Sequence, residues 1–81
     1  MWRRFDEGRA IPLSMVEPGR EVTIVGIRAG KGLQQRLLSM GLIPGERAKV
    51  LNNWGRGPFL LQVKGTRVAL GYGVAHKILV I

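Results

Sequence analysis

Few residues in this chain could do chemistry, and each candidate fails on a specific count. Gly26-Ile27-Arg28-Ala29-Gly30-Lys31-Gly32 resembles a phosphate loop. A Walker A loop needs four residues between its glycines and a hydroxyl residue after the lysine to hold Mg²⁺. Here three residues intervene and Gly32 follows Lys31, so the metal-binding hydroxyl is missing. One histidine (His76), no cysteine and five scattered carboxylates do not assemble a four-ligand cage. Ser14 and Ser39 lack the His/Asp company that activates a hydroxyl, so no nucleophile is expected. His76 reads as a solvated or packed histidine. Met40 falls on the apolar side of a helical stretch and reads as packing, not as a soft-metal ligand. The expectation is a protein without catalytic residues, resident metal or cofactor.

Charge points to partners instead. The 13 basic and 5 acidic residues leave a formal charge of +8 on 81 residues, which favours anionic surfaces. The basic residues are spread along the whole chain, with no basic arm. Small basic barrels bind nucleic acid through grooves with aromatic platforms. Trp54 with Arg56 two positions on is the one hint of that, and five aromatics without a repeated aromatic–basic pattern leave it thin. The lack of cysteine suits a reducing compartment. No apolar run approaches the roughly 18 residues of a membrane span, and the arginines near the start precede no apolar segment of the kind a secretory signal needs. A soluble, cytoplasmic protein without membrane insertion is expected.

The elements that would position a binding surface are short. Residues 1–10 are polar and unpatterned and read as a flexible leader, with one domain over residues 11–81. Glu17-Pro18-Gly19-Arg20 is a turn, with Pro presetting φ and Gly accepting the positive φ of a type II turn. The strand that follows carries Val22, Ile24, Val25 and Ile27, and the break in alternation at Val25-Gly26 predicts a bulge. Leu33, Leu37, Leu38 and Met40 predict one apolar face of a helix over residues 33–40.

Gly41 is placed to end that helix in the left-handed conformation, with Leu42 folding back onto Leu37 as in a Schellman cap. Pro44-Gly45 then turns the chain into a second strand, repeating the device of Pro18-Gly19 at an offset of 26 residues. Strands are predicted at residues 48–51, 59–64, 67–70 and 78–81. Gly65-Thr66 is expected to close a type II′ hairpin, and a helical turn is expected at residues 71–77. Five short strands with glycine-rich corners and one small helix indicate an all-β protein built as a small barrel.

Laid side by side, these segments resemble the FeoA family, small cytoplasmic proteins of bacterial ferrous iron uptake. The likeness runs from Ile11 to Ile81. It rests on Pro12-Leu13-Ser14, Pro18-Gly19, Val25-Gly26-Ile27, the helix stop Met40-Gly41-Leu42-Ile43-Pro44-Gly45, Val68-Ala69-Leu70, and Ala75 with Ile78 and Val80. Met40 stands where leucine is common, and Gly71-Tyr72-Gly73-Val74 is richer in glycine and poorer in charge than the family pattern. The resemblance implies an SH3-like barrel with the short α-helix inserted and a C-terminal helical turn. It also implies a non-enzymatic role beside FeoB, the membrane Fe²⁺ transporter, through the transporter's cytoplasmic region.

Leu37, Met40, Gly41, Pro44 and Gly45 are expected to be structural, fixing the helix against the barrel. Leu38, Leu42 and Ile43 are the candidate partner-binding residues, lining an apolar groove beside the helix. Two other readings stay open: a basic barrel that binds nucleic acid, and a weak binder of Fe²⁺ or Zn²⁺.

Overall fold

The computed structural model describes residues 9–53 and 57–81. The expected leader therefore lies outside the described residues except at Arg9 and Ala10, and so does the Trp54–Arg56 pair. In chain order the elements are β1 (Ile11–Pro12), a 3₁₀ turn (Leu13–Met15), β2 (Glu21–Ile27), α1 (Lys31–Ser39), β3 (Arg47–Asn52), β4 (Phe59–Val63), β5 (Thr66–Leu70), α2 (Tyr72–Ala75) and β6 (Ile78–Val80). The strands form one antiparallel sheet in the order β1-β6-β2-β3-β4-β5. The strand missed by sequence is β1, whose two residues are too few to show alternation.

The centre of the sheet is β2, which serves two ladders. Its first residues pair with β3 (Val22 opposite Ala48) and its later ones with β6 (Ile27 opposite Ile78). The changeover is the predicted bulge: the register slips between Ile24 and Gly26 against Val80 and Leu79. One extra residue bends the strand and increases its twist, which lets a single sheet wrap around its own core. That core takes alternate residues from each strand, including Ile24, Val50, Phe59, Leu61, Ile78 and Val80, all at 0–1% exposure.

The hairpin between β4 and β5 differs from expectation. Val63 pairs with Thr66, so the two loop residues are Lys64 (φ 53°) and Gly65 (φ 77°), not Gly65 and Thr66. Positive φ at both positions is a type I′ turn. The expected register would have set Lys64 opposite Arg67, and like charges facing each other oppose pairing. The observed register puts Gln62 opposite Arg67 and pairs buried Leu61 with Val68 and Phe59 with Leu70.

The two Pro-Gly turns are built alike. In the first, Gly19 has φ 92° and the Arg20 amide donates to Glu17 O at 3.3 Å. In the second, Gly45 has φ 96° and the Glu46 amide donates to Ile43 O at 2.9 Å. Both are type II turns with Pro at the first central position. Each also clasps one residue of the other's strand. The Gly19 amide donates to Val50 O (2.7 Å), and the Val50 amide returns a bond to Arg20 O (2.9 Å). The Gly45 amide donates to Ile24 O (2.6 Å), and the Ile24 amide returns a bond to Glu46 O (2.9 Å). The pair Val22–Ala48 lies at the middle of this exchange.

Candidate functional site

The candidate site is the helix and the turn after it. Helix α1 begins at Gly30, whose lack of a side chain leaves the first turn uncapped. Gln34 Nε2 donates to Ala29 O (2.9 Å) and Ile27 O (3.3 Å), which ties the helix start to the end of β2 without capping its free N–H groups. The helix ends at Met40, and Gly41 has φ 92°. The Leu42 amide donates to Leu37 O and the Gly41 amide to Leu38 O, both at 3.0 Å. Those two bonds define the Schellman cap predicted from sequence. Leu37 (2% exposed) and Leu42 (0%) close it from within the core. Burying a leucine stabilises the fold by about 1.5–3 kcal/mol, so this pair is what holds α1 against the sheet.

Placement of the apolar residues corrects two expectations. Leu42 has no exposed surface, so it serves the cap and cannot line a groove for a partner. Met40 is 40% exposed, not packed; it has the angular position of Leu33 and Leu37 but lies past the last turn of the helix. Leu38 lies about 100° around the helix from Leu37 and is likewise 40% exposed. Ile43, in the turn, is 41% exposed. The core-facing stripe of α1 is thus buried Leu37 with partly buried Leu33, while Leu38, Met40 and Ile43 present apolar surface to solvent. Pro44 and Gly45 form the second type II turn and fix the exit of Ile43.

A polar cluster escaped the sequence reading. Ser14, 2% exposed, lies with its Oγ 2.9 Å from His76 Nδ1, a hydrogen bond across 62 positions of sequence. Asn53 Nδ2 donates to Ser14 O (2.9 Å) and Val16 O (2.8 Å), and the Tyr72 hydroxyl donates to Ser14 O at 3.3 Å. Ser14 therefore does have histidine company. The hydroxyl is buried, however, and the ring nitrogen it meets is the one that a carboxylate would occupy in a Ser-His-Asp array. The cluster fastens the 3₁₀ turn to α2 and offers no accessible nucleophile. Among the described residues, no group of three or more His, Asp or Glu side chains is placed to hold a metal ion, and no helix is long and apolar enough to cross a membrane.

A curled antiparallel sheet with one inserted helix and an exposed apolar helix–turn segment defines a small SH3-like domain. The sequence pattern of the FeoA domain matches residues 11–81. A protein of Methanocaldococcus jannaschii named as an Fe(2+) transport protein A is 44% identical over 69 residues, covering 85% of this chain and 83% of that protein. The crystal structure of an iron uptake regulatory protein, FeoA, superposes with a TM-score of 0.79 at 38% identity, covering 88% of this chain and 93% of the other. The zinc-complexed FeoA of Stenotrophomonas maltophilia, described as a prokaryotic SH3 domain protein, gives a TM-score of 0.75 at 26% identity over 85% and 87% of the two chains. The chain belongs to the FeoA family of ferrous iron transport proteins.

Proposed function

We propose that this protein is a non-enzymatic accessory factor of ferrous iron uptake, with residues 11–81 as its folded unit. In this reading it docks on the cytoplasmic region of an FeoB-type membrane Fe²⁺ transporter and regulates or supports transport. The observation that carries the reading is apolar exposure on a rigid mount: Leu38, Met40 and Ile43 are each 40–41% exposed on a segment held by the Gly41 cap and the Pro44-Gly45 turn. Exposed apolar side chains on a pre-ordered segment bind with little further loss of conformational entropy. Membership of an iron transport family supports a transporter as the class of partner.

The test is a titration of the isotopically labelled protein with the transporter's cytoplasmic domain. Amide shifts are expected over residues 33–45, and Leu38→Asp with Ile43→Asp is expected to weaken binding at least tenfold, the 1.4 kcal/mol equivalent that one well-seated apolar contact supplies. A spectrum unchanged in that segment at saturating partner rejects the site.

A further inference from the structure

The outer edge of β5 offers a second binding surface. Val63 and Thr66 flank the two-residue turn, so the Thr66 amide bonds Val63 O as turn geometry requires. Antiparallel bonding alternates from there. Thr66, Val68 and Leu70 direct their backbone groups at β4, and Arg67 and Ala69 direct theirs away from it. In the strand order β5 is terminal, and no other described backbone or side-chain hydrogen bond reaches it. Among the described residues the edge is thus an unpaired extended template five residues long.

The face beside that edge is cationic. The ladder aligns Glu21, Lys49, Gln62 and Arg67 in one row across β2, β3, β4 and β5. Glu21 is engaged by Arg47 at 2.8 Å, and Lys64 lies 3.5 Å from Glu46, while Lys49 and Arg67 have no carboxylate partner among the described residues. A shallow groove of about 460 Å³ runs along this face between Glu21, Arg47, Lys49, Gln62 and Lys64, three cations to one carboxylate.

We propose that β5 accepts an extended acidic peptide segment as an added strand, one that alternates carboxylate with apolar residues. An added strand would lie about 5 Å from β5. Its residues opposite Arg67 and Ala69 would share their outward face, where Arg67 meets a carboxylate directly and Lys49, two strands further in, acts through its field. Its intervening residues would continue the inward side of Val68 and Leu70, both buried. Two other occupants fit worse. A second copy pairing β5 with β5 brings two Arg67 side chains onto one face. Single-stranded nucleic acid needs stacking platforms, and none of the described residues lining the groove is aromatic; the exposed Tyr72 ring is not among them. The proposal does not depend on the iron-uptake reading.

The probe is a short alternating glutamate–valine peptide, with an alternating lysine–valine peptide and oligothymidylate as comparison ligands. Fluorescence anisotropy at two salt concentrations gives affinity, and amide spectra locate the site. The glutamate peptide is expected to bind most tightly, to weaken as salt rises, and to shift and slow the exchange of the Arg67 and Ala69 amides. Arg67→Glu is expected to weaken it roughly tenfold by turning an opposite-charge pair into a like-charge one, and Lys49→Glu by a smaller factor visible at low salt. Ala69→Pro removes an outward amide without touching the β4 ladder, a placement edge strands accept, and should also weaken binding. Gln35→Ala, on the exposed side of the helix, should leave peptide affinity unchanged. The proposal falls if residues 66–70 do not respond, if Arg67→Glu binds like the parent, or if oligothymidylate binds more tightly than the glutamate peptide.

Discussion

Replacing Gly41 tests the physical basis of the helix–turn segment. Its φ of 92° lies where an L side chain is strained, at a cost of roughly 1–2 kcal/mol. Space is not the obstacle: a Cβ built there meets Val63 Cγ1 at 3.8 Å, an ordinary contact. Gly41→Ala should therefore cost about 1–2 kcal/mol from the backbone alone, and Gly41→Val more, because a branched Cβ tolerates positive φ least. A domain of 81 residues has a stability of about 4–12 kcal/mol, so this is a measurable share. With a urea slope near 1 kcal/mol/M, expected for so small a domain, the midpoint should fall by about 1–2 M. Gly26→Ala is the matched control, since Gly26 has open space around its Cβ position and no positive φ; its midpoint should stay near that of the parent. If Gly41→Ala and Gly26→Ala unfold together at the parent midpoint, the inverted glycine is not what ends the helix.

Three further outcomes are expected. Leu42→Ala should cost about 2–5 kcal/mol in urea unfolding, whereas Leu38→Ala, on a residue 40% exposed, should stay within about 0.5 kcal/mol; equal losses would contradict the split between core and surface. His76→Ala strands the buried Ser14 hydroxyl and should cost about 1–3 kcal/mol, while Ser14→Ala leaves only an exposed imidazole unpaired and should cost less, about 0.5–1.5 kcal/mol. The order of the two midpoints checks the bond. Lys64→Asn places a residue tolerant of positive φ at the first position of the type I′ turn but removes the exposed Lys64–Glu46 pair, so at high salt, where that pair is screened, the midpoint should rise above that of the parent.

What could be read in advance was local. The Gly41 cap, both Pro-Gly turns and the Val25-Gly26 bulge depend on a glycine or proline whose backbone preference acts within a few residues, and each lies where the chain says it should. What escaped depends on contacts distant in sequence. Helical spacing groups Leu38 and Met40 with Leu33 and Leu37, but only the barrel surface decides how wide a stripe it will cover, and it covers a narrow one. The hairpin shifted by one residue because register is settled by cross-strand neighbours, Gln62 and Arg67 among them, and not by turn residues alone. Ser14 and His76 stand 62 positions apart, so no spacing rule could join them. Of the candidate site, Leu37, Gly41, Pro44 and Gly45 were legible as structural residues, while the exposure of Met40 and the division between buried Leu42 and exposed Leu38 and Ile43 were not.

The mutual clasp of the two Pro-Gly corners gives the molecule a mechanical linkage. Gly19 grips the strand that Gly45 launches, and Gly45 grips the strand that Gly19 launches, so neither corner can lift away without loosening the other's anchorage. The amides of Gly19, Ile24, Gly45 and Val50 should consequently open to solvent in a single event, as one cooperative unit. A pull on the leucine-bearing helix would thereby be felt at the far corner, 26 residues earlier in the chain.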